Sequence, residues 1–245
     1  MGKRILVIGD ACQDVYTYCN IKKLAPDKPV PVLVPIKETR SLGMAGNVYE
    51  NLRILNSDTD ILCNKDWEKV TKNRFVDLET NHMFVRLDSD YHIPRIDLKE
   101  VAYDYDCIVI SDYDRGFLSE DDISQICSNH PLTFLDTKKL LGEWASSATF
   151  LKINEHEYLR SKDKISADLW AKTIETRGSK GSTFRGQNYA TEPQEVIDVS
   201  GAGDAFLAAL VHEYLQSLSM PSAVVFANSK ASEVVRKRGV TKLES

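Results

Sequence analysis

The chain has 245 residues, of which 42% are hydrophobic and 27% are charged. These proportions are ordinary for globular proteins and exclude a disordered or fibrous chain. The net charge of −5, together with the lack of a long basic run in the sequence, argues against binding to nucleic acid or to a membrane surface. We expect one domain, residues 1–245, that binds small polar molecules.

The five cysteines are widely spaced and include no Cys-x-x-Cys pair. This pattern predicts neither a disulfide framework nor a zinc site, and it favours free thiols in or beside the core of a protein in a reducing compartment. The first apolar run is only four residues long, which is too short for a signal peptide or a spanning helix. The sequence therefore predicts a cytoplasmic location.

Four short apolar runs predict strands that are buried on both faces, as in a parallel sheet. They cover residues 5–8, 107–110, 132–135 and 149–153. A polar residue lies at or just beyond the end of each run, namely Asp10, Asp112, Asp136 and Asn154. Each one alone also fits ordinary turn chemistry, but ligands of open α/β sheets bind outside the carboxyl edge. Four in one chain therefore predict a binding site at that edge.

Helical patterns alternate with these strands. Residues 47–55 have their apolar positions on one helix face, and Ser119 is a predicted N-cap followed by three acidic residues. An apolar stripe that includes Phe206 predicts one later helix, and another is expected to begin near Ser219 and to stop at Gly239. The alternation predicts a three-layer α/β domain.

Two segments have an extended pattern that does not fit the main sheet. In residues 29–39 valines alternate with prolines, and proline restricts a strand to an edge or a bulge. Residues 75–88 also have a strand-like pattern. We interpret both as a small antiparallel flap, with an irregular surface loop as the alternative.

The strongest local signal is the run Gly201-Ala202-Gly203-Asp204 at the start of a predicted helix. Small residues allow a ligand to approach the backbone, and the first N–H groups of a helix are unpaired and lie at the positive end of its dipole. This arrangement suits a phosphoryl group, and Asp204 can take a proton from a hydroxyl. A plain glycine turn with a dipole-stabilising acid is the alternative.

Weaker elements accompany this run. The loop from Thr176 to Gly181 contains a second glycine and can wrap phosphates, although it lacks Walker A spacing and also fits a hairpin turn. Asn154 and Glu157 can hold hydrated Mg²⁺ or can simply cap a helix. Two early groups, one around Asp14 and one from Gly43 to Asn47, lie near predicted strand ends and offer polar groups to sugar hydroxyls.

In this order, these elements resemble the ribokinase-like sugar kinases, the PfkB family, over almost the whole chain. The opening of the chain is most similar to heptose 7-phosphate kinases, the kinase half of ADP-heptose synthesis enzymes. The matching stretches are residues 9–16, 24–32, 111–116 and 136–138. No His-x-Gly-His adenylyltransferase signature appears, so the resemblance is to the kinase half alone.

The resemblance implies an α/β fold, a ribokinase-like three-layer α/β/α sandwich with a central, mostly parallel sheet and a small antiparallel β lid. The lid strands are expected at about residues 28–42 and 73–90. In the family the lid covers the sugar and often forms a dimer interface, which implies a homodimer through the lid. The implied reaction is ATP-dependent phosphoryl transfer to a hydroxyl of a sugar or sugar phosphate, with Mg²⁺ and with K⁺ as a candidate monovalent cation.

The resemblance also implies roles for individual residues. Asp204 is the expected catalytic base, and the expected anion hole is formed by Gly201, Ala202 and Gly203. The expected substrate-binding residues, with the last two as candidates for a substrate phosphate, are Asp14, Gly43, Asn47, Asp112, Arg115 and Lys138. The expected nucleotide-binding residues are Asn154, Thr176, Gly178, Lys180, Gly181 and Asn228. Glu157 and, through water, Asn154 are expected to hold Mg²⁺, and Asp198 is the candidate ligand for the monovalent cation.

The sequence departs from the family pattern at several places, including Gly46, where alanine is common, and a shortened region before Thr176. Met44 stands where the family usually has a second glycine, and the usual strand and helix between residues 56 and 72 are largely missing. Two alternatives therefore stay open, a kinase of another sugar or a nucleoside, and a non-catalytic kinase-derived binding or regulatory protein. A Rossmann dehydrogenase is disfavoured because Gly9-Asp10 does not begin a Gly-x-Gly-x-x-Gly motif.

Overall fold

The computed structural model describes residues 2–56, 58–192, 196–237, 239 and 242–244. Within those ranges the strands are β1 (Ile5–Gly9), β2 (Ala11–Asn20), β3 (Val34–Met44), β4 (Thr59–Cys63), β5 (Thr71–Asp77), β6 (Met83–Asp88), β7 (Cys107–Asp112), β8 (Thr133–Thr137), β9 (Phe150–Asn154), β10 (Thr173–Thr176), β11 (Ser182–Phe184) and β12 (Gln187–Tyr189). The α-helices are α1 (Ala45–Leu55), α2 (Glu120–Ser128), α3 (Glu155–Ser161), α4 (Ala167–Trp170), α5 (Ala202–Ser217) and α6 (Met220–Val234).

The large sheet has eight strands in the order β12-β11-β10-β9-β8-β7-β1-β4. Neighbours from β10 to β4 are parallel, whereas β11 and β12 are antiparallel. The four predicted strands form the centre of this sheet. Three of them, β1, β7 and β8, are buried along their whole length, as continuous apolar runs require. The prediction of a mostly parallel central sheet is therefore confirmed.

Each face of the large sheet packs against its own layer of helices. Alternate side chains of a strand point to opposite faces. Val7, Val109 and Phe134 belong to the core cluster that includes α1, α5 and α6. Their neighbours Ile8 and Ile110 belong to the cluster that includes α2. The result is the predicted three-layer arrangement.

The small sheet has four strands in the order β3-β2-β5-β6. It is mixed rather than purely antiparallel, because β2 runs parallel to β5. The lid strand predicted from about residue 28 begins only at Val34, since prolines before it remove ladder donors. The segment predicted over residues 73–90 is two strands, β5 and β6, joined by a turn. The strand β2, the longer of the two inner strands of this sheet, was not predicted.

Two other expectations from the sequence are wrong. The expected missing strand after residue 56 is present as β4, which pairs in parallel with β1, so only the usual helix after it is absent from the described residues. The last helix ends at Val234 instead of running to Gly239. The N–H of Val235 still donates to the carbonyl of Ala231, and the next bond, from the N–H of Lys237 to the carbonyl of Val234 at 3.0 Å, is that of a tighter turn. Arg238, part of that predicted stop signal, lies outside the described residues.

The cysteines lie where the sequence predicts them. Four of the thiols are buried, that of Cys63 is half-buried, and all five are free. Of the described helices, none is both long and apolar enough to cross a membrane.

Candidate active site

A cavity of 690 Å³ lies beyond the carboxyl ends of the central strands. Its wall includes residues that follow β7, β8, β9 and β10, together with the beginning of α5 and one side of α6. Among the predicted site residues, it is lined by Lys138, Asn154, Thr176, Gly178, Lys180, Gly181, Gly201, Ala202, Gly203, Asp204 and Asn228. The carboxyl edge is where open α/β sheets bind ligands, so the cavity is the candidate active site.

The amino terminus of α5 opens into this cavity. Gly201 is the N-cap residue and has φ of +80°, a conformation that favours glycine. In the described structure the N–H groups of Gly203 and Asp204 have no hydrogen-bond acceptor, whereas that of Ala202 donates to the carbonyl of Val199 at 3.2 Å. Of the expected amides, that of Gly203 therefore remains open to an anion, and the amide of Asp204, which was not predicted, is open beside it. Ala202 contributes its small size rather than a free donor.

Asp204 is a buried carboxylate held by two donors. Its Oδ2 accepts a hydrogen bond of 2.7 Å from Nδ2 of Asn47, and its Oδ1 accepts one of 2.6 Å from the hydroxyl of Tyr113. Burial raises the pKa of Asp204, whereas the bonds from Tyr113 and Asn47 lower it, and the net shift is upward. A carboxyl group with a raised pKa and a cavity before it has the properties of a general base.

Asn47 reaches Asp204 because α1 begins beside β1. Nδ2 of Asn51 donates to Oδ1 of Asn47 at 3.1 Å, which directs the Asn47 donor toward Asp204. The helix is preceded by Met44, whose φ of +57° lies in the region that glycine adopts readily. Met44 is thus a buried side chain placed where the family resemblance expects glycine, and its packing in the core holds a strained backbone.

Two lysines and two carboxylates line or support the floor of the cavity. Nζ of Lys152 lies 2.7 Å from Oδ2 of Asp136, and both side chains are only 4% exposed. Nζ of Lys138 lies 2.5 Å from Oε1 of Glu157 and 3.6 Å from Oδ1 of Asp136. Lys138 and Lys152 both border the cavity, so their positive charges can interact with a bound anion.

The charges in this cluster set the ionisation of Asp136. Burial raises the pKa of Asp136, but the charges of Lys138 and Lys152 lower it by more, so the net shift of the pKa is downward from its ordinary value. Gly203 lies against the same cluster, since a Cβ atom there would come within 3.2 Å of Nζ of Lys152. The glycine therefore lets the lysine approach the amino terminus of α5.

Asn154 and Glu157 form a complete capping box at the start of α3. Oδ1 of Asn154 accepts from the N–H of Glu157 at 2.8 Å, and Oε2 of Glu157 accepts from the N–H of Asn154 at 2.8 Å. The capping interpretation is therefore geometrically correct. Each of these oxygens keeps a second lone pair, so capping does not exclude a water-mediated metal contact.

The loop between β10 and β11 forms another wall. Gly181 has φ of +82°, and a Cβ atom there would lie 2.1 Å from the carbonyl oxygen of Tyr189. Lys180 is exposed and pairs with Glu155 at 3.2 Å. Asn228, across the cavity, uses its amide within the protein: it donates to Tyr189 at 3.0 Å and accepts from Ser182 at 3.1 Å.

The predicted sugar residues Asp14 and Gly43 lie on the small sheet and do not border this cavity. Oδ1 of Asp14 lies 2.5 Å from a guanidinium nitrogen of Arg74, and both side chains are largely buried. A Cβ atom on Gly43 would come within 2.3 Å of Oδ2 of Asp14. Nζ of Lys72, from the same strand as Arg74, lies 4.9 Å from the ring centroid of Tyr113. Because Tyr113 donates to Asp204, this contact connects the small sheet with Asp204.

The structure does not bring Asp112, Arg115 or Asp198 to the cavity wall. The oxygens of Asp112 accept from the hydroxyl of Thr137 at 2.5 Å and from Lys139 at 3.4 Å. A guanidinium nitrogen of Arg115 donates to the carbonyl oxygen of residue 89 at 2.9 Å. The oxygens of Asp198 accept from the N–H groups of residues 200 and 239 at 2.8 and 3.1 Å.

Four residues of the site were missed by sequence reasoning: Tyr113, Asp136 in its role as partner of a lysine, Lys152 and Arg74. A lysine within an otherwise apolar strand was the available signal for Lys152, because an unpaired charge is not buried without a partner. Tyr113 was visible only as part of a matching stretch, and Arg74 had no local signal. In the part of the chain that the structure describes, no group of three or more His, Cys, Asp or Glu side chains is arranged to hold a metal ion.

Curated relatives match nearly the whole chain. The bifunctional protein HldE of Helicobacter pylori strain HPAG1 is 30% identical over 294 aligned positions, which include 97% of this chain and 64% of the relative. The HldE protein of Hydrogenovibrio crunogenus is 28% identical and is covered to 60%. The chain thus spans less than two thirds of the length of these relatives. Because the alignments are longer than the chain, the relatives also carry insertions relative to it.

Solved structures share the fold at low sequence identity. The phosphofructokinase-2 of Escherichia coli superposes with a TM-score of 0.74 and 14% identity, covering 99% of this chain and 95% of that protein. The nucleoside kinase of Methanocaldococcus jannaschii gives a TM-score of 0.69 and 18% identity, covering 100% and 96%. Residues 121–245 match the sequence profile described as pfkB family carbohydrate kinase. Since that match includes half of the chain, the protein belongs to the pfkB family of carbohydrate kinases, which are phosphotransferases.

Proposed function

We propose that this chain acts as one kinase domain that transfers the γ-phosphoryl group of ATP to a hydroxyl of a sugar phosphate, of the heptose 7-phosphate type. The observation that carries the proposal is the position of Asp204. It is a buried carboxylate at the amino terminus of α5, in a cavity bordered by Lys138 and Lys152. A base, free amides and two cations in one cavity supply the groups that phosphoryl transfer needs.

In the proposed reaction Asp204 accepts the proton of the acceptor hydroxyl as the oxygen attacks the γ-phosphorus. The bond from that phosphorus to the β,γ-bridging oxygen breaks, and ADP leaves. The N–H groups of Gly203 and Asp204 and the ammonium groups of Lys138 and Lys152 stabilise the negative charge on the phosphoryl oxygens. Asn47 holds Asp204 through its hydrogen bond, and we place the bound sugar beside Asn47.

The nucleotide is proposed to lie along the cavity wall formed by the loop between β10 and β11 and by α6. Gly178 and Gly181 have no side chain to fill the space beside that wall, and Thr176, Lys180 and Asn228 border the same space. The amide of Asn228 is already bonded within the protein, so we assign it to the shape of the wall rather than to a hydrogen bond with the base. Asn154 lies at the phosphate end of this wall, beside Lys152 on the same strand.

Mg²⁺ fits this site as a hydrated ion. Glu157 is buried and ionisable, each of its oxygens keeps a lone pair, and Asn154 is next to it. These residues would hold the ion through water, and Mg²⁺ when bound neutralises charge on the nucleotide phosphates. We propose that K⁺ binds beside Asp198. Each oxygen of this carboxylate accepts one backbone hydrogen bond.

The acceptor is proposed to lie between Asp204 and the small sheet. Asp14 and Gly43 form one side of this region and Arg74 fixes the orientation of Asp14. In the part of the chain that is described, Lys72 makes no ion pair, and its ammonium group lies over the ring of Tyr113. A cation without a carboxylate partner beside the base supports an acceptor that carries a phosphate. Arg115 remains a second candidate for that phosphate.

The first test is ADP release from ATP and Mg²⁺ across a panel of sugars, sugar phosphates and nucleosides that includes heptose 7-phosphate. We expect turnover with heptose 7-phosphate. Turnover with another sugar or a nucleoside alone would replace that substrate. Silence across the panel, with ATP binding shown by calorimetry, would favour the alternative of a non-catalytic, kinase-derived binding or regulatory protein.

The second test is Asp204→Asn, which keeps the shape and removes the base. We expect turnover to fall by at least about 10³-fold while ATP still binds. The matched control is Asp121→Asn, because Asp121 is an exposed acid in the first turn of α2, outside the cavity. A wild-type rate in Asp204→Asn would remove Asp204 as the base.

We also propose that the small sheet is a lid that pairs with a second copy of the chain to form a homodimer. Its strands β3 and β6 expose apolar side chains, including Ile36 at 57% and Leu87 at 54% exposure. Exposed apolar patches of this kind mark interaction surfaces. Ile36→Glu combined with Leu87→Glu is expected to halve the mass measured by light scattering. Val225→Glu, at an equally exposed position on α6, is the control, and an unchanged mass in the double variant would contradict the dimer.

A further inference from the structure

The hydroxyl of Tyr113 is one of only two side-chain donors to Asp204 among the described residues. The bond is 2.6 Å long, as expected for a hydroxyl that donates to an ionised carboxylate. The Tyr113 ring lies close to two cations, with Nζ of Lys72 at 4.9 Å and Nζ of Lys138 at 5.5 Å from its centroid. The side chain therefore lies between the acceptor region and the phosphate end of the cavity.

Two buried carboxylates fix the backbone that carries this side chain. Oδ2 of Asp10 accepts from the N–H of Tyr113 at 2.7 Å, and Oδ1 accepts from the N–H of Phe117 at 3.2 Å. Oδ1 of Asp112 accepts from the N–H of Asp114 at 3.2 Å. Asp10 and Asp112 are essentially inaccessible to solvent. These hydrogen bonds fix the backbone of the turn after β7 and with it the position of Tyr113.

The turn itself uses unusual backbone conformations. Asp114 has φ of +56° and Gly116 has φ of +106°. Such conformations persist where surrounding contacts over-determine them. The two strand-end carboxylates, Asp10 and Asp112, thereby have a function that the sequence did not reveal. They bind backbone N–H groups of a turn instead of a ligand.

A buried carboxylate needs donors to stay ionised, and the environment of Asp204 has few. The groups that face it from the packed elements are Tyr113 from the turn after β7, Asn47 from α1, Asp136 from β8, Lys138 just after β8, Lys152 from β9 and Cys12 from β2. Lys152 favours the ionised form and Asp136 opposes it. The pKa of Tyr113 is raised well above its ordinary value by burial and by Asp204, so the phenol keeps its proton and remains a donor.

We propose that Tyr113 is a positioning residue for Asp204, whose hydroxyl holds the ionised carboxylate in a fixed orientation with its remaining lone pairs available to the acceptor hydroxyl. This inference rests on the proposed function, in which Asp204 is the base. Tyr113 acts through Asp204 and takes no proton itself. Asn47 is the second support, since it donates to the other oxygen of the carboxylate, Oδ2.

The test is Tyr113→Phe, which keeps the ring and its contacts with the lysines and removes only the donor. Loss of this hydrogen bond raises the pKa of Asp204, because the bond stabilises the charged form. The acid limb of kcat is expected to move to higher pH, with recovery of kcat at higher pH and little change in the KM for ATP. Tyr105→Phe is the matched control, since Tyr105 donates to Asp60 at 2.8 Å far from the cavity.

A second measurement does not need the acceptor. In protein labelled with ¹³C at the Asp carboxyl carbons, the resonance that disappears in Asp204→Asn belongs to the base. Its titration midpoint is expected to be higher in Tyr113→Phe than in the wild type and unchanged in Tyr105→Phe. Circular dichroism of the variants shows whether they are folded.

The outcomes distinguish a failure of the proposed function from a failure of the inference about Tyr113. If Asp204→Asn retains turnover, the proposed function loses its base and the role of Tyr113 falls with it. If Asp204→Asn is inactive but Tyr113→Phe leaves both the acid limb and the ¹³C titration unchanged, the proposed function stands and the inference about Tyr113 is overturned. An upward shift in both measurements supports the inference.

Discussion

The two faces of the carboxyl edge of the large sheet carry similar residues but differ in what those residues can do. Asp136 pairs in register with Ser111, and Asp112 pairs with Thr137, so the two aspartates point to opposite faces. Both are almost completely buried. Burial raises the pKa of Asp112 to about 6, whereas the lysines around Asp136 overcome burial and lower its pKa.

The difference arises from where the neighbouring lysines lie. On the face toward α5, Lys138 and Lys152 balance Asp136 and still border the cavity. On the opposite face Lys139 pairs with Asp112 and Asp114 and borders a separate surface hollow of 430 Å³. In this protein Asp136 is the strand-end acid whose counter-charges border the cavity at the amino terminus of α5.

The largest expected effect comes from Lys152→Met. Removing one member of a buried pair leaves Asp136 poorly compensated, so the free energy of unfolding is expected to fall by about 3–5 kcal/mol. Turnover is expected to fall by roughly 10²-fold or more, because a cation at the phosphate end is lost. Urea unfolding and the ADP-release assay measure the two effects.

The counterpart on the other face is Lys139→Met. We expect a smaller loss of stability, because Asp112 keeps its bond from Thr137, and turnover within a few fold of the wild type. An equal loss of turnover in Lys139→Met and Lys152→Met would break the comparison between the faces.

The next effect is a pH dependence of opposite sign for the two aspartates. The folded pKa of Asp112, about 6, exceeds the unfolded value of about 4, so its contribution to stability is complete below about pH 4 and is lost as the pH rises through 6. The total change is about 3 kcal/mol at most. Asp112→Asn is expected to remove this fall, as measured by urea unfolding from pH 4 to 7.

Asp136 has the opposite linkage. Its folded pKa lies below the unfolded value, so its stabilisation is present above about pH 4 and is lost as the pH falls. Asp136→Asn is therefore expected to flatten the acid side of the profile. The same slope change in both variants would show that the two faces do not differ electrostatically.

A smaller effect is expected at the glycines of the loop between β10 and β11. Gly178 and Gly181 both have positive φ, but an added Cβ atom meets nothing within 4 Å at Gly178 and the Tyr189 carbonyl oxygen at 2.1 Å at Gly181. Gly178→Ala is expected to lower the free energy of unfolding by about 1 kcal/mol and Gly181→Ala by clearly more. Thermal unfolding of both variants measures the difference, and equal losses would show that the backbone conformation alone decides the outcome.

The smallest effect is expected for Lys180→Met. The pair of Lys180 with Glu155 is exposed, so its loss is expected to change the free energy of unfolding by less than about 1 kcal/mol and to have no effect at high salt. A loss as large as that of Lys152→Met would contradict the distinction between buried and exposed cations at this cavity.

Local chemistry made much of the fold and part of the site predictable. The central strands, the N-cap at Ser119 and the helix that begins at the glycines before Asp204 all follow from patterns within a few residues. The strand β2 was not predicted, since its mixture of Asp, Thr, Tyr and Cys gives no continuous apolar run. The strand β4 was missed because it is only five residues long and because the helix that usually follows it is absent from the described residues.

The sequence by itself determined which residues end the central strands and which loop begins α5, because those properties depend on neighbours along the chain. Only the tertiary structure decided that Lys152 borders the cavity and pairs with Asp136, that Asp112 points to the opposite face of the sheet, and that Tyr113 reaches Asp204. A shift of one residue in strand register moves a side chain to the other face, and register is set by pairing between strands distant in sequence. The chemistry of the site therefore depends on pairings that no local pattern contains.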